Sequence, residues 1–202
     1  GSLVVLRYVY WRTTQTLPPI TDFFDVLPGF ILYAAEMYCF SILAISLIIN
    51  VDPLHRPPLE ETPDDLLPTV DVYIPTYNED EYILATTIAA ARSMHYPADK
   101  LTVWLCDDGG TDQKCNDANP EKAEAARERR RSLTALCEQL GAKYHTREKN
   151  LHAKAGNMNA CLKDSNGDLI VVFDADHAPF RMFLRETVGH FLKDPKLFLV
   201  QT

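Results

Sequence analysis

The chain has 202 residues, 47% of them hydrophobic and 24% charged, with a formal net charge of −8. That acidic balance argues against a general nucleic-acid binder, which needs Lys and Arg to hold phosphate backbones. It leaves room for a small phosphorylated ligand held by backbone N–H groups and one Lys. The average hides two unlike parts: roughly the first 55 residues are apolar and aromatic, and the rest is mixed and acidic.

Residues 1–11, GSLVVLRYVYW, read as the end of a membrane helix, and 12–25, polar with Pro18 and Pro19, as a loop. Val26 to Val51 is bracketed by Asp25 and Asp52 and carries one charge, Glu36. It is long enough to span a bilayer core with some tilt; a signal peptide would be shorter and would end in a small-residue cleavage site. A buried core helix is the plain alternative. Glu36 is costly at membrane depth unless it faces other helices or water. It is therefore either a residue beside a polar path or a hydrogen-bonded structural group. Arg7 and Arg12 before the span, and His55 and Arg56 after it, leave the orientation open. Five prolines over 52–69 exclude a helix or a central strand there, so this stretch is a linker, a hinge or interfacial strap.

From residue 70 the pattern alternates. VDVYIPTY predicts a strand, Ala85 to Met94 an Ala-rich helix and LTVWLCDD a second strand. Residues 121–140 predict a strong helix with Leu133, Leu136, Cys137 and Leu140 on its apolar face and Gly141 as its stop. AKYHTRE is a weaker strand, Ala155 to Lys163 a short helix, DLIVVFDAD a strand buried to its tip, Met182 to Leu192 a helix, and LFLVQT the start of another strand. Such alternation predicts an α/β fold with a parallel sheet between helices, and ligands then bind at the carboxyl ends of the strands. The polar residues collect at those ends: Thr76, Tyr77, Asn78 and Glu79; Asp107, Asp108, Gly109 and Gly110; Asp174, Asp176 and His177.

Carboxylates at 174 and 176 suit a hard divalent cation, Mg²⁺ or Mn²⁺, which takes its remaining ligands from water and substrate phosphates. A short acidic pair on a solvated surface is the alternative. Asp107 and Asp108 precede two glycines that permit a turn and close ligand approach, or form a plain Asp-Gly turn. Lys154 stands beside a helix start, where N–H groups also favour an anion, with His152 placed to assist; a solvated Lys is the alternative. Arg127, Arg129, Arg130 and Arg131, interleaved with Glu121, Glu124 and Glu128, read as a solvated helix face. Neither G-x-G-x-x-G nor a Walker lysine motif is present. Cys39, Cys106, Cys115, Cys137 and Cys161 form no C-x-x-C pair and read as reduced thiols, with no zinc-type spacing.

PTYNE, LCDDGGTD, HAKAGNMN, VVFDADHAP and FLVQT, in this order and spacing, resemble the cellulose-synthase-like family 2 processive glycosyltransferases. The resemblance covers residues 69–202 almost continuously, and YWRTTQTLPP with the Glu-bearing helix fits the front. It implies a GT-A-type, Rossmann-like, mostly parallel sheet, here truncated to the N-terminal, donor-binding part (70–202) and preceded by transmembrane helix segments. It implies UDP-glucose as donor, a divalent cation, inversion at the anomeric carbon and a growing β-glucan passed through membrane helices. The linkage would be β-1,4, with β-1,3 (curdlan-type) or mixed-linkage glucan as alternatives, and transfer to a lipid carrier a further one.

Carried over by position, the resemblance implies Tyr77 and Glu79 by the uridine, Asp107 at the uridine side of UDP with Asp108 near it, Lys154 at the diphosphate, Asp174 and Asp176 holding the metal and His177 near the sugar or metal; Thr76 and His152 join the donor-binding candidates, and Asp107, Asp174 and Asp176 are the catalytic carboxylates. The resemblance also implies a bacterial inner-membrane, multi-pass protein with this domain in the cytoplasm and a periplasmic partner subunit. The general base (a T-E-D motif), a Q-x-x-R-W motif, the other channel helices and a cyclic-di-GMP-binding domain are expected outside these residues. The 202 residues are therefore expected to bind UDP weakly and not to polymerise sugar.

Overall fold

The computed structural model describes residues 2–20, 23–52 and 61–201; residues 53–60 of the expected linker lie outside them. The chain divides into two compact units, residues 1–57 and 58–202.

In the first unit, helix α1 (Ser2–Gln15) and helix α2 (Phe23–Val51) form a hairpin. Residues 24–51 have a mean hydropathy of 1.9, are not buried in the structure, and make α2 long and apolar enough to cross a membrane. The loop expected over 12–25 is shorter at both ends. Polarity did not end α1, because its last turn finds partners: Arg12 Nε donates to Glu36 Oε2 at 2.6 Å, and Thr13 Oγ1 lies 2.9 Å from Tyr33 Oη. Glu36 is thus ion-paired, which favours the structural reading of that residue. Gly29 lets the connection close, since a Cβ there would sit 2.8 Å from Pro18 Cγ.

The second unit is built on four parallel strands in the order β3-β2-β1-β4: β1 (Val70–Thr76), β2 (Leu101–Asp107), β3 (Lys143–His145) and β4 (Leu169–Val172). Central β1 is buried at all seven positions, as a parallel strand covered on both faces must be. Alternation divides its neighbours' side chains. Val72, Ile74, Val103 and Leu105 join the main core with Leu84 and Ile88 of α3 (Glu81–Arg92), Leu133 and Cys137 of α5 (Pro120–Leu140), and Leu184 and Val188 of α7 (Phe183–Lys193). Tyr73, Trp104 and Cys106 form a second cluster with Cys161 of α6 (Ala153–Cys161). Helix α5 is delimited as its sequence demands. The Asn119 side chain accepts from the N–H of Glu121 and Lys122, Pro120 follows it, and Gly141 closes the helix at φ +69°.

Three expectations are corrected. LFLVQT forms no strand among the described residues, and Phe198 is 95% exposed; apolar alternation makes a strand only where a neighbour offers N–H and C=O groups. Strand β4 is four residues long and half open, with Ile170 and Val172 each 43% exposed, because among the described residues it pairs only with β1. A short helix, α4 (Asp112–Cys115), follows the double glycine and was not expected; the Thr111 side chain caps it by accepting from Lys114 N–H.

Candidate active site

Parallel pairing brings the carboxyl ends of the strands to one rim. The register sets Thr76 beside Asp107 and Cys106 beside His145. The Asp108 N–H donates to Thr76 O (2.9 Å), tying the first two loops together.

The loop after β1 is organised by Glu79, whose Oε2 accepts from Thr76 Oγ1 (2.6 Å) and from the N–H groups of Tyr77 (2.7 Å) and Asn78 (3.1 Å). Partial burial pushes this carboxyl up, but those hydrogen bonds outweigh it and hold it below the usual carboxylate value. The Tyr77 ring carries Lys114 Nζ 3.5 Å from its centroid.

Asp107 is fully buried. Its Oδ1 accepts from Gly109 N–H (2.8 Å) and Arg129 Nε (3.1 Å), and its Oδ2 from Tyr144 Oη (2.8 Å). Burial, then the Asp107 charge and hydrogen bond, raise the Tyr144 phenol above its ordinary range, so Tyr144 remains a donor. Arg129 also donates to Glu79 O (3.0 Å) and Thr76 Oγ1 (3.0 Å). A Cβ on Gly109 would lie 2.3 Å from both Tyr77 O and Arg129 Nε, so the approach of the two loops requires glycine there.

Asp108 is gripped by a bidentate Arg147: Nε to Oδ1 at 2.7 Å and Nη2 to Oδ2 at 2.8 Å. The same guanidinium donates to Leu151 O (2.5 Å), Asn150 Oδ1 (2.9 Å) and Ala153 O (3.0 Å), fixing the segment that leads into α6. That segment is strained, with His152 at φ 61° and Ala153 at φ 45°. Left-handed backbone at two consecutive non-glycine residues costs roughly 1–2 kcal/mol each. It brings Lys154 to the rim, where its Nζ donates to Asp174 Oδ1. The Lys154 hydrogen bond draws the Asp174 carboxyl below its usual value.

Phe173 and Ala175 are buried, anchored by Phe173 N–H to Tyr73 O (3.0 Å) and Thr87 Oγ1 to Ala175 O (2.7 Å). Asp174, Asp176 and His177 between and after them are exposed, with His177 Nε2 3.8 Å from Asp176 Oδ1. The carboxylates at 174 and 176 thus stand outward from an anchored segment, beside the Lys154 ammonium.

A cavity of about 440 Å³ lies between these loops, lined by Thr76, Tyr77, Glu79, Asp108, Lys154 and Asn157, among others. The Oδ1 of Asn157 is buried and has no hydrogen-bond partner. A second cavity of about 480 Å³ runs from Lys154 and Asp174 along the open face of β4. Of the candidates read from the sequence, Thr76, Tyr77, Glu79, Asp108 and Lys154 meet at the first cavity and Asp174, His177 and Lys154 at the second. Asp107 lies beneath them, engaged wholly by protein groups, and His152 stands at the N-cap position of α6 without a side-chain capping hydrogen bond.

The arginines were misjudged. Arg127 and Arg131 are exposed and paired with Glu124 and Glu128, as a solvated face requires. Arg129 and Arg130 instead turn inward, Arg130 donating to Gly110 O at 2.7 Å and Asp112 Oδ1 at 2.7 Å. Arg147 and Tyr144 also hold the carboxylates of the rim. Their one sequence signal is position: Tyr144 lies within β3 and Arg147 just after it, next to the Asp pair of β2.

Sheet, rim and acidic pair together define a GT-A-type glycosyltransferase domain. The chain belongs to glycosyl transferase family 2, whose model matches residues 71–202. It is 43% identical to the cellulose synthase catalytic subunit [UDP-forming] of Pseudomonas fluorescens (strain SBW25), covering 100% of this chain and 25% of that protein. With cellulose synthase 1 of Komagataeibacter xylinus the identity is 39%, over 100% of this chain and 12% of the relative. The chain therefore spans a quarter or less of the length of these relatives. Among solved structures, a mannosyltransferase from Pyrobaculum calidifontis aligns with a TM-score of 0.48 and 23% identity over 83% of this chain and 44% of its own.

Proposed function

We propose that this chain is the donor-binding part of a membrane-embedded, processive, inverting glycosyltransferase that adds glucose from UDP-glucose to a growing β-1,4-glucan. The observation that carries the reading is the rim around the 440 Å³ cavity. There a stacked Tyr77, the Arg147-held Asp108 and the Lys154–Asp174 pair converge, in a chain about 40% identical along its length to cellulose synthases.

The uridine side of the donor lies against Tyr77 and Asp108, and the diphosphate reaches Lys154. Asp107, with Arg129 and Tyr144, positions the loops rather than meeting the ligand. Asp174, Asp176 and His177 offer two exposed carboxylates and an imidazole to a divalent cation, the Asp176 and His177 side chains being tied among the described residues only by their 3.8 Å contact; Asp174 is held by the Lys154 ammonium, with which a bound cation would have to share that carboxylate. A bound Mg²⁺ or Mn²⁺ would neutralise charge on the departing diphosphate. Lys154 is placed to stabilise the same charge. The acceptor hydroxyl displaces UDP in line, its proton taken by a general-base carboxylate of the acceptor side. Helix α2, long and apolar enough to cross a bilayer, supports a membrane location for the whole protein, and a periplasmic partner subunit is expected from the family pattern alone.

The test uses membranes carrying the full-length protein, labelled UDP-glucose and a divalent salt. Insoluble product digested by a β-1,4-specific glucanase and resistant to a β-1,3-specific one is the expected result. The reverse digestion pattern assigns a curdlan-type synthase to the same donor site. Label in a lipid fraction, or no polymer at all, overturns the reading.

A further inference from the structure

On the sheet face away from the main core, Cys106 of β2 and His145 of β3 are register partners, and α6 lays Cys161 against them. The two sulfurs and one ring nitrogen of His145 all lie within 4.8 Å of one another, and all three residues are buried. Strand register and a helix bring together groups that no C-x-x-C spacing announces.

The histidine is the telling member. Its Nε2 lies 3.1 Å from Asp164 Oδ2. A carboxylate only accepts, so Nε2 is the donor in this pair, and the neutral ring that makes it offers Nδ1 as an acceptor. That Nδ1 is buried and has no hydrogen-bond partner, an arrangement that costs roughly 1–3 kcal/mol if nothing ever fills it. A carboxylate behind an imidazole is also the arrangement that orients histidine metal ligands.

We propose that Cys106, Cys161 and His145 Nδ1 form a buried site for a thiophilic d¹⁰ cation, Cu⁺ or Zn²⁺, with Asp164 orienting the imidazole. Two thiolates and an imidazole suit these soft ions and not Mg²⁺ or Ca²⁺. With metal–sulfur bonds near 2.3 Å and metal–nitrogen bonds near 2.0 Å, neighbouring ligand atoms stand on the order of 3.5–4 Å apart. From separations of up to 4.8 Å the triad therefore has to contract by about 1.3 Å at most. Met158 packs against the same cluster and offers a thioether, a further soft donor. Thiols bind such ions as thiolates, so binding releases protons. A disulfide between the two cysteines would leave the Nδ1 lone pair unfilled; a cation uses it. The site lies beneath the rim: the Cys106 carbonyl accepts from Asn157 Nδ2 at 2.7 Å.

The test uses the full-length protein in detergent, reduced and stripped with a chelator. It is titrated with Co²⁺ as a spectroscopic stand-in for Zn²⁺, and separately with Cu⁺ under a competing chelator. The expected result is one cation per chain that is lost in a Cys106→Ser/Cys161→Ser double variant, with thiolate-to-cobalt charge-transfer absorption in the cobalt arm. Uptake in one arm only identifies the ion. Asp164→Asn should weaken affinity roughly 10–100-fold. Equal uptake by wild type and the double variant overturns the proposal. So does a Cys106–Cys161 disulfide in the isolated protein with no uptake after reduction. Should the double variant not fold, His145→Gln and Asp164→Asn carry the comparison, and unchanged stoichiometry and affinity in both overturns it. Because metal content is read without UDP-glucose, failure here leaves the glycosyltransfer reading intact.

Discussion

Arg147 holds the Asp108 carboxylate through two parallel N–H donors, at 2.7 and 2.8 Å, and with the same guanidinium holds the carbonyls of Leu151 and Ala153. One side chain therefore couples the loop after β2 to the segment that carries Lys154. The pair is nearly enclosed, with side chains 10% and 5% exposed. Arg147→Ala leaves a buried charge unpaired and should cost about 3–5 kcal/mol. Arg147→Lys keeps the charge but loses the fork and should recover only part of it. Denaturant unfolding and UDP affinity of the full-length protein check this; equal stability in wild type and Arg147→Ala counts against the coupling.

Gly156 tests the same segment from the backbone side. Inside a helix, Gly→Ala ordinarily stabilises by up to about 1 kcal/mol. Here a Cβ would fall 1.9 Å from Leu151 O and 2.6 Å from Arg147 Nη1. Gly156→Ala should therefore lower the melting temperature and weaken UDP binding together. A raised melting temperature would mean the Leu151 carbonyl moves aside freely.

Glu79 predicts an acid limb in stability. Its folded pKa is lowered because the hydrogen bonds from Thr76, Tyr77 and Asn78 outweigh burial. Its contribution is therefore fully present above the ordinary carboxylate value and is lost as pH falls through the lowered folded value. Glu79→Gln removes that titration, so its stability should fall less steeply than the wild type's as pH drops from the ordinary carboxylate value toward the lowered folded one. Urea midpoints across that range decide the matter, and parallel slopes would assign the acid limb elsewhere.

Asp174 and Asp176 are exposed and make few structural bonds, so Asn at either position should leave the fold unchanged. Polymer synthesis by the full-length enzyme should drop roughly 100-fold or more, the scale of losing several kcal/mol of charge stabilisation at the leaving group. The metal dependence should shift to higher concentration in parallel. Undiminished synthesis in both variants would point to a non-catalytic nucleotide-binding subunit.

Much of this molecule was legible from its residue order. Apolar runs ending in Thr76, Asp107 and Phe173, with helical periodicity between them, determine parallel strands whose polar tips share a rim, because side-chain period and connection length leave few other arrangements. The Asn119–Pro120 start and Gly141 stop of α5 are local chemistry and needed no tertiary information.

What the tertiary structure alone decided is which polar groups face the cavity and which hold it open. Asp107 and Asp108 are chemically identical neighbours, yet one is fully enclosed by Arg129, Tyr144 and Gly109 while the other lines the cavity under Arg147. Arg129 and Arg131 sit two residues apart on one helix, and only the packing of α5 against the rim sends the first inward. The exposed face of β4 and the meeting of Cys106, His145 and Cys161 depend likewise on neighbours distant in sequence. Local sequence sets periodicity and caps, but burial and ion pairing are properties of what packs alongside, and those partners are chosen only when the sheet closes.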